Sequence, residues 1–334
     1  DLQIFTTGGE FYVPQGTSDP ITPANLAVRM ATRNGTKPGV PVVGLDSGTL
    51  FVQRQGKQLN ELLFTDVELS YTTANVSLLS GHLLKSPTDM AIRRATSTEE
   101  ADRLFIVNGT DGSITVYSLL RAQQVVAPSR VTTDGLFQAV AIDVNTAYTV
   151  VQRTINSATV FFVELFDADT HTDSAVAVSS TGATGTAAQL PATTLDVIVD
   201  GNVQSQKTAN GSGVVTFDRA PASGYEIGLP FSMEIKTLPL EPRLASGSIK
   251  GFKKRVLKVN AEVFQSQAMT VNGQLVAFRK FGEDVLDTSV EPFTGVKTVG
   301  PLLGFVDEGT ITVTQSVPLA LTVLALDYQL SVGQ

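Results

Sequence analysis

Along the first half of the chain, apolar and polar positions alternate in short runs that stop at glycine, asparagine or serine. This is the pattern of half-buried strands joined by tight turns. Leu2, Gln3, Ile4 and Phe5 lead through Gly8-Gly9 into Glu10, Phe11, Tyr12 and Val13. Residues 49–54 turn at Gln55-Gly56 and return through 58–62, where glycine supplies the positive φ that a tight turn demands. Residues 103–107 and 113–117 flank an Asn-Gly-Thr-Asp-Gly tract, and 147–153 pairs with 158–165 across Asn156-Ser157. The four turns lie about 47, 54 and 46 residues apart, close to the period of β-propeller blades.

Other segments are read the same way. Residues 14–23, with Gly16 and three prolines, form an irregular connection, and Leu26, Val28 and Met30 alternate as a short strand. Residues 75–84 form a helix candidate, with Val76, Leu79 and Leu83 at helical spacing and Pro87 limiting the extension. Residues 174–192 are rich in Ser, Thr, Gly and Ala and read as a loop-rich boundary. Strands follow at 195–199, leading into Asp200-Gly201, and at 214–217. Further on, Leu257, Val259, Ala261 and Val263 oppose Lys258, Asn260 and Glu262 with a period of two, and 310–314 and 319–326 complete an antiparallel pattern. The expected fold is therefore all-β. A partial β-propeller (1–166) precedes a small β module (167–230) and a C-terminal sandwich or barrel-like domain (231–334).

Composition narrows the classes without choosing one. The chain has 334 residues, long enough for two or three domains, and no cysteine, which removes disulfides and thiolate metal sites. Its net charge of −8 argues against a sequence-independent DNA-binding surface, which needs clustered Lys and Arg. The longest apolar runs fall well short of a membrane-spanning helix and are broken by Pro318 and Thr322. The chain opens at Asp1, without a methionine or a leader, and four blades are the lower limit of a closed propeller. A fragment is expected, with upstream residues supplying further blades.

Candidate chemistry is sparse. His82 and His171 are the two histidines, far apart in the chain, and read as ordinary polar residues of a helix end and a loop. Asp167, Asp169 and Asp173 have the spacing that opens a calcium loop. The pattern fails at His171, at Thr172 where glycine is needed, and at Val178 where a bidentate glutamate is needed. Lys250, Lys253, Lys254, Arg255 and Lys258 form a basic cluster, read as the solvent side of a strand entrance. No phosphate-binding loop or nucleophile elbow is present. No catalytic, metal or cofactor residue is assigned. A propeller-based carbohydrate-binding or glycoside-cleaving protein is the alternative function, since carboxylates are plentiful and the fold would set their pairing.

Several segments, in order, resemble the tail nozzle or tail tubular B-like proteins of short-tailed bacteriophages and prophages. They are Leu50-Phe51-Val52-Gln53-Arg54 with Gly56, Leu59, Glu61 and Leu62; Val151-Gln152-Arg153-Thr154-Ile155-Asn156 with residues 162–165; His171-Thr172-Asp173; and Val199-Asp200-Gly201. The C-terminal half adds residues 227–231, 235–240, 253–259 and 318–325. Residues 174–194 lack the Leu-rich stretch with Glu-Gly associated with that family. The resemblance implies a virion component without enzymatic activity and without a cofactor, made in the host cytoplasm. It implies self-assembly into a ring, sixfold by that likeness, with portal, adaptor and other tail proteins as partners and DNA passing through without specific binding.

Overall fold

Strand-forming residues punctuated by turn residues fold the N-terminal unit, Asp1–Asp167, into successive antiparallel meanders. The computed structural model describes residues 1–14, 20–67, 69–97, 100–242, 247–279, 288–302 and 304–333. Blade 1 consists of β1 (Leu2–Phe5), β2 (Glu10–Val13) and β3 (Arg29–Thr32). Blade 2 consists of β4 (Val43–Leu45), β5 (Gly48–Val52), β6 (Leu59–Thr65) and β7 (Ser70–Asn75). Blade 3 consists of β8 (Pro87–Arg93), β9 (Asp102–Asn108), β10 (Ile114–Leu120) and β11 (Val125–Val131). Blade 4 consists of β12 (Leu136–Asp143), β13 (Thr146–Ile155) and β14 (Ala158–Leu165). The four hairpins read from the turns are all present. Asn156 and Ser157 take φ of 49° and 64°, the doubly left-handed geometry of a two-residue hairpin.

The blades stack face to face, which is the arrangement of a partial propeller. Phe5 and Tyr12 of blade 1 meet Phe51, Leu62 and Tyr71 of blade 2. The opposite face of blade 2, with Leu50, Val52 and Leu59, meets Met90, Leu104, Ile106 and Tyr117 of blade 3. The opposite face of blade 3, with Phe105, Val107 and Val116, meets Phe137, Val140 and Val151 of blade 4. Burial on both faces explains why β9 reads Leu104-Phe105-Ile106-Val107 without polar alternation. Each such side chain contributes about 1.5–3 kcal/mol through burial.

Two local expectations are corrected in this unit. Residues 75–84 are not an α-helix: β7 runs to Asn75, turns follow, and one 3-10 turn occupies Gly81–Leu83. The Asn75 carboxamide oxygen accepts the Ser77 N–H at 2.9 Å and the Ser77 hydroxyl at 3.0 Å, while the Ser77 hydroxyl accepts the Leu59 N–H at 2.9 Å. These side-chain bonds compete with a helical backbone, and Leu78 and Leu79 are left exposed. Of Leu26, Val28 and Met30, Met30 alone lies in a strand.

The C-terminal unit, Ala168–Gln334, contains two groups of sheets, and among the described residues no strand pairing crosses residue 230. The first has β15 (Asp173–Val178), β16 (Thr184–Thr186), β17 (Thr194–Val199), β18 (Asn202–Val203), β19 (Lys207–Thr208), β20 (Val214–Thr216) and β21 (Tyr225–Leu229). Their main sheet has the order β15-β21-β17-β18, with β19 also on β17 and β16 pairing β20. The stretch 174–192, expected as loop, therefore contributes strand β16 and most of β15. Its valines and alanines pair in register with Tyr225, Glu226 and Ile227.

The second group is a two-sheet sandwich. One sheet joins β22 (Met233–Lys236), β24 (Thr270–Val271), β25 (Gln274–Leu275) and β27 (Thr312–Gln315). The other joins β23 (Lys254–Ser266), β26 (Phe293–Val299) and β28 (Val323–Val332). Val259, Ala261 and Val263 pack against Met269, Val271, Ile311 and Val313 in one core. Leu257, expected on that face, is displaced because the pairing of β23 with β28 shifts register between Val256 and Lys258. That bulge puts Val256 and Lys254 inside instead.

Candidate functional site

The charged residues of the N-terminal unit are placed by strand register, and most of them brace strands and turns. Arg153 on β13 is 1% exposed, and its guanidinium donates to both carboxylate oxygens of Glu164 on β14, at 2.9 and 2.7 Å. Its remaining arm donates to the Asp134 carbonyl at 2.7 Å. Asp89 on β8 accepts the Val140 N–H at 2.9 Å, tying blade 3 to blade 4. Asn108 is fully buried and uses both ends of its amide. The oxygen accepts the Lys85 N–H, and the nitrogen donates to Leu83, Ser113 and Thr115. Partial burial pushes the Asp111 carboxyl upward, but hydrogen bonds from Lys85 and Ser113 outweigh it and hold the group well below the usual carboxylate range. Burial raises the Tyr117 hydroxyl against the opposing bond from Ser80.

A cavity of about 180 Å³ lies between blades 2 and 3, lined by Leu45, Leu50, Val76 and Leu119 with the Glu61–Arg121 ion pair. It is smaller than the usual range for ligand sites, about 300–1,000 Å³. The C-terminal unit has a cavity of about 530 Å³, lined by Val256, Leu302, Val306, Asn272, Thr310 and Thr312, with Asp307 and Glu308. Both carboxylates are exposed and lack the apolar enclosure of a glycosidase general acid.

The residues singled out from the sequence do not converge. His82 sits in the 3-10 turn of the N-terminal unit, and His171 lies in the C-terminal unit. The Glu226 carboxylate on β21 accepts the His171 N–H and the Thr172 hydroxyl, both at 2.7 Å. The acidic run thus enters β15 as an anchored strand start. Among the described residues, no group of three His, Cys, Asp or Glu is placed to hold a metal. The basic cluster divides. Lys250, Lys253 and Lys258 are exposed, Arg255 donates to the Leu302 carbonyl at 3.0 Å, and Lys254 is buried with its ammonium 3.6 Å from Glu241.

Sequence reading missed the Arg153–Glu164 and Glu61–Arg121 ion pairs, although a repeated pattern marks the hairpins that carry Arg153, Glu164 and Glu61. Val-Gln-Arg occurs at 52–54 and again at 151–153, each followed across the turn by Glu-Leu. The two copies are used differently. Val52 faces the following blade and Val151 the preceding one, so Arg54 is exposed and reaches the Thr7 carbonyl at 3.2 Å while Arg153 is enclosed.

The left-handed turn at Asp200 is held by several hydrogen bonds to its carboxylate. The carboxylate accepts the N–H groups of Ala222, Ser223 and Gly224 and the Ser223 hydroxyl, at 2.7–3.2 Å. The Ala222 bond leads the causes that hold its carboxyl well below the usual range. A depressed folded value means that the group's stabilisation is present above its unfolded value of about 3.9 and is lost as pH falls below that. Asp200→Asn is therefore expected to lose about 1–2 kcal/mol at pH 7. Its difference from the parent should shrink below about pH 4, as read by urea unfolding at a series of pH values.

A comparison with protein families finds none whose pattern matches the chain, and a comparison with curated proteins likewise finds no match. Among solved structures, the chain is similar to the exo-β-1,3-galactanase from Phanerochaete chrysosporium with β-1,3-galactotriose, at 11% identity and a TM-score of 0.23. The likeness covers 84% of this chain and 65% of that one, so the chain spans less than two thirds of the galactanase structure. At that TM-score it lends no argument about fold or activity. No helix among the described residues is long and apolar enough to cross a membrane.

Proposed function

We propose that the chain is a structural scaffold without enzymatic activity, a tail component of a short-tailed bacteriophage or prophage. In this reading it assembles as a ring below the portal and adaptor and forms part of the DNA conduit. The observation that supports a scaffold is the outer face of blade 4, where Phe161, Val163 and Leu165 are 61%, 75% and 53% exposed on a regular sheet. An apolar face of this kind marks a surface made to be covered by a neighbour. The bracing role of the charged groups agrees with a rigid part, because carboxylates committed to backbone N–H groups and arginines are not poised for proton transfer.

The net charge of −8 fits a conduit that DNA traverses without adhering, since phosphates are repelled and no counterions are released on contact. Electron microscopy of the full-length protein tests the proposal. The expected result is a ring with an axial channel wide enough for duplex DNA. Turnover of an oligosaccharide by the purified chain, or a strongly basic channel wall, would overturn it.

A further inference from the structure

The three joints within the N-terminal unit follow one rule: the second face of each blade seats on the first face of the next. Two faces are left over. On blade 4, register places Tyr148 opposite Leu165, Val150 opposite Val163 and Gln152 opposite Phe161, away from blade 3. On blade 1, Leu2, Ile4, Phe11, Val13 and Met30 share the face turned away from blade 2; Val13 is buried, Ile4 and Phe11 are half-buried, and Leu2 and Met30 are 49% and 50% exposed. None of these named residues is charged.

The sequence of β14 is that of a strand meant to be covered on both sides. Val160-Phe161-Phe162-Val163 is a continuous apolar run like Leu104-Phe105-Ile106-Val107 of β9, which is buried on both faces. The strand is also a sheet edge without lysine, arginine or proline, and its one charged side chain, Glu164, is turned inward to Arg153. Inner blades have four strands, while blades 1 and 4 have three. Among the described residues of the N-terminal unit, blade 4 therefore has neither a facing sheet on that side nor a fourth strand.

We propose that the occupant is a second copy of this chain, docked head to tail so that the second face of blade 4 seats on the first face of blade 1 of the next copy. The chain itself carries the matching half of the missing joint, and the contact repeats the geometry of its three internal joints. Register puts one charged side chain, Asp143, on the blade 4 face and none among Leu2, Ile4, Phe11 and Met30, so no like-charge pair opposes association. The contact is heterologous and closes into a ring when the rotation per copy divides a full turn. This rests on the scaffold reading and names the surfaces through which the scaffold would assemble.

The absence of cysteine gives a direct test. Met30→Cys and Val163→Cys are made separately, mixed at high concentration and oxidised, with far-UV circular dichroism confirming that each remains folded. The expected result is a cross-linked dimer that requires both variants, forms in preference to either self-linked product, and falls at least tenfold when Phe161→Lys is added to the Val163→Cys variant. Predominant self-linking of Val163→Cys would overturn the head-to-tail contact, and so would the absence of the mixed product. Should a cysteine variant fail to fold, sedimentation velocity of the parent against Val163→Lys decides. Association lost in the variant supports the contact, and identical behaviour overturns it. Rings seen by microscopy without the mixed cross-link would remove this contact and leave the scaffold reading. The cross-link in particles lacking a channel would do the reverse.

Discussion

Arg153→Ala is expected to destabilise the N-terminal unit by about 3 kcal/mol, among the largest effects of any polar substitution in it. Removing one member of a buried pair leaves the other charge without compensation, which typically costs about 3–5 kcal/mol. The lower end applies because the Glu164 side chain keeps 19% exposure while Arg153 keeps 1%. The Asp134 carbonyl also loses its bond from Arg153. For a unit of this size the loss corresponds to roughly 6–12 °C in the unfolding midpoint. The double replacement Arg153→Met with Glu164→Leu should recover most of it, since exchanging a buried pair for apolar groups of similar volume is often close to neutral. Thermal unfolding of the three variants checks both halves. A double variant as unstable as Arg153→Ala would show that packing, not charge, is what Arg153 supplies.

Phe51→Ala is expected to cost about 3–5 kcal/mol, while Phe161→Ala stays within about 0.5 kcal/mol of the parent in the monomer. Both are phenylalanines on blade strands. Phe51 is fully buried at the joint between blades 1 and 2, with its ring 5.4 Å from that of Phe5, whereas Phe161 projects from the outer face of blade 4. Truncating Phe51 opens a cavity that two sheets cannot collapse around, while truncating Phe161 removes surface that is already wet. Urea unfolding at low protein concentration separates them. A loss for Phe161→Ala as large as that for Phe51→Ala would mean that the outer face is covered within a single copy.

The hairpins were legible because turn residues are local. Asn156-Ser157 and Asp200-Gly201 take positive φ, and few other residue types do so at low cost. What local pattern could not convey is which face of a strand is covered. Leu104-Phe105-Ile106-Val107 and Val160-Phe161-Phe162-Val163 look alike, and in this structure only the first is enclosed on both sides.

The helix at 75–84 failed because the spacing of Val76, Leu79 and Leu83 weighed the apolar positions and ignored Asn75 and Ser77, whose side chains capture the backbone first. The bulge after Val256 is set by pairing with β28, about 70 residues away, so Leu257 could not be placed from β23 alone. In the candidate site, the anchoring of His171 and Thr172 by Glu226 was not readable, because that carboxylate comes from a strand about 55 residues away. The Glu61–Arg121 and Arg153–Glu164 pairs were not readable as pairs, because partner choice depends on blade stacking and hairpin register.

In the proposed assembly, the apolar faces of blades 1 and 4 are held against further copies of the chain. Sedimentation equilibrium of the full chain over a wide concentration range tests it most directly. The expected result is reversible association that grows as concentration rises and disappears with Val163→Lys. A parent chain that stays strictly monomeric, with Phe161, Val163 and Leu165 still exposed, would contradict it.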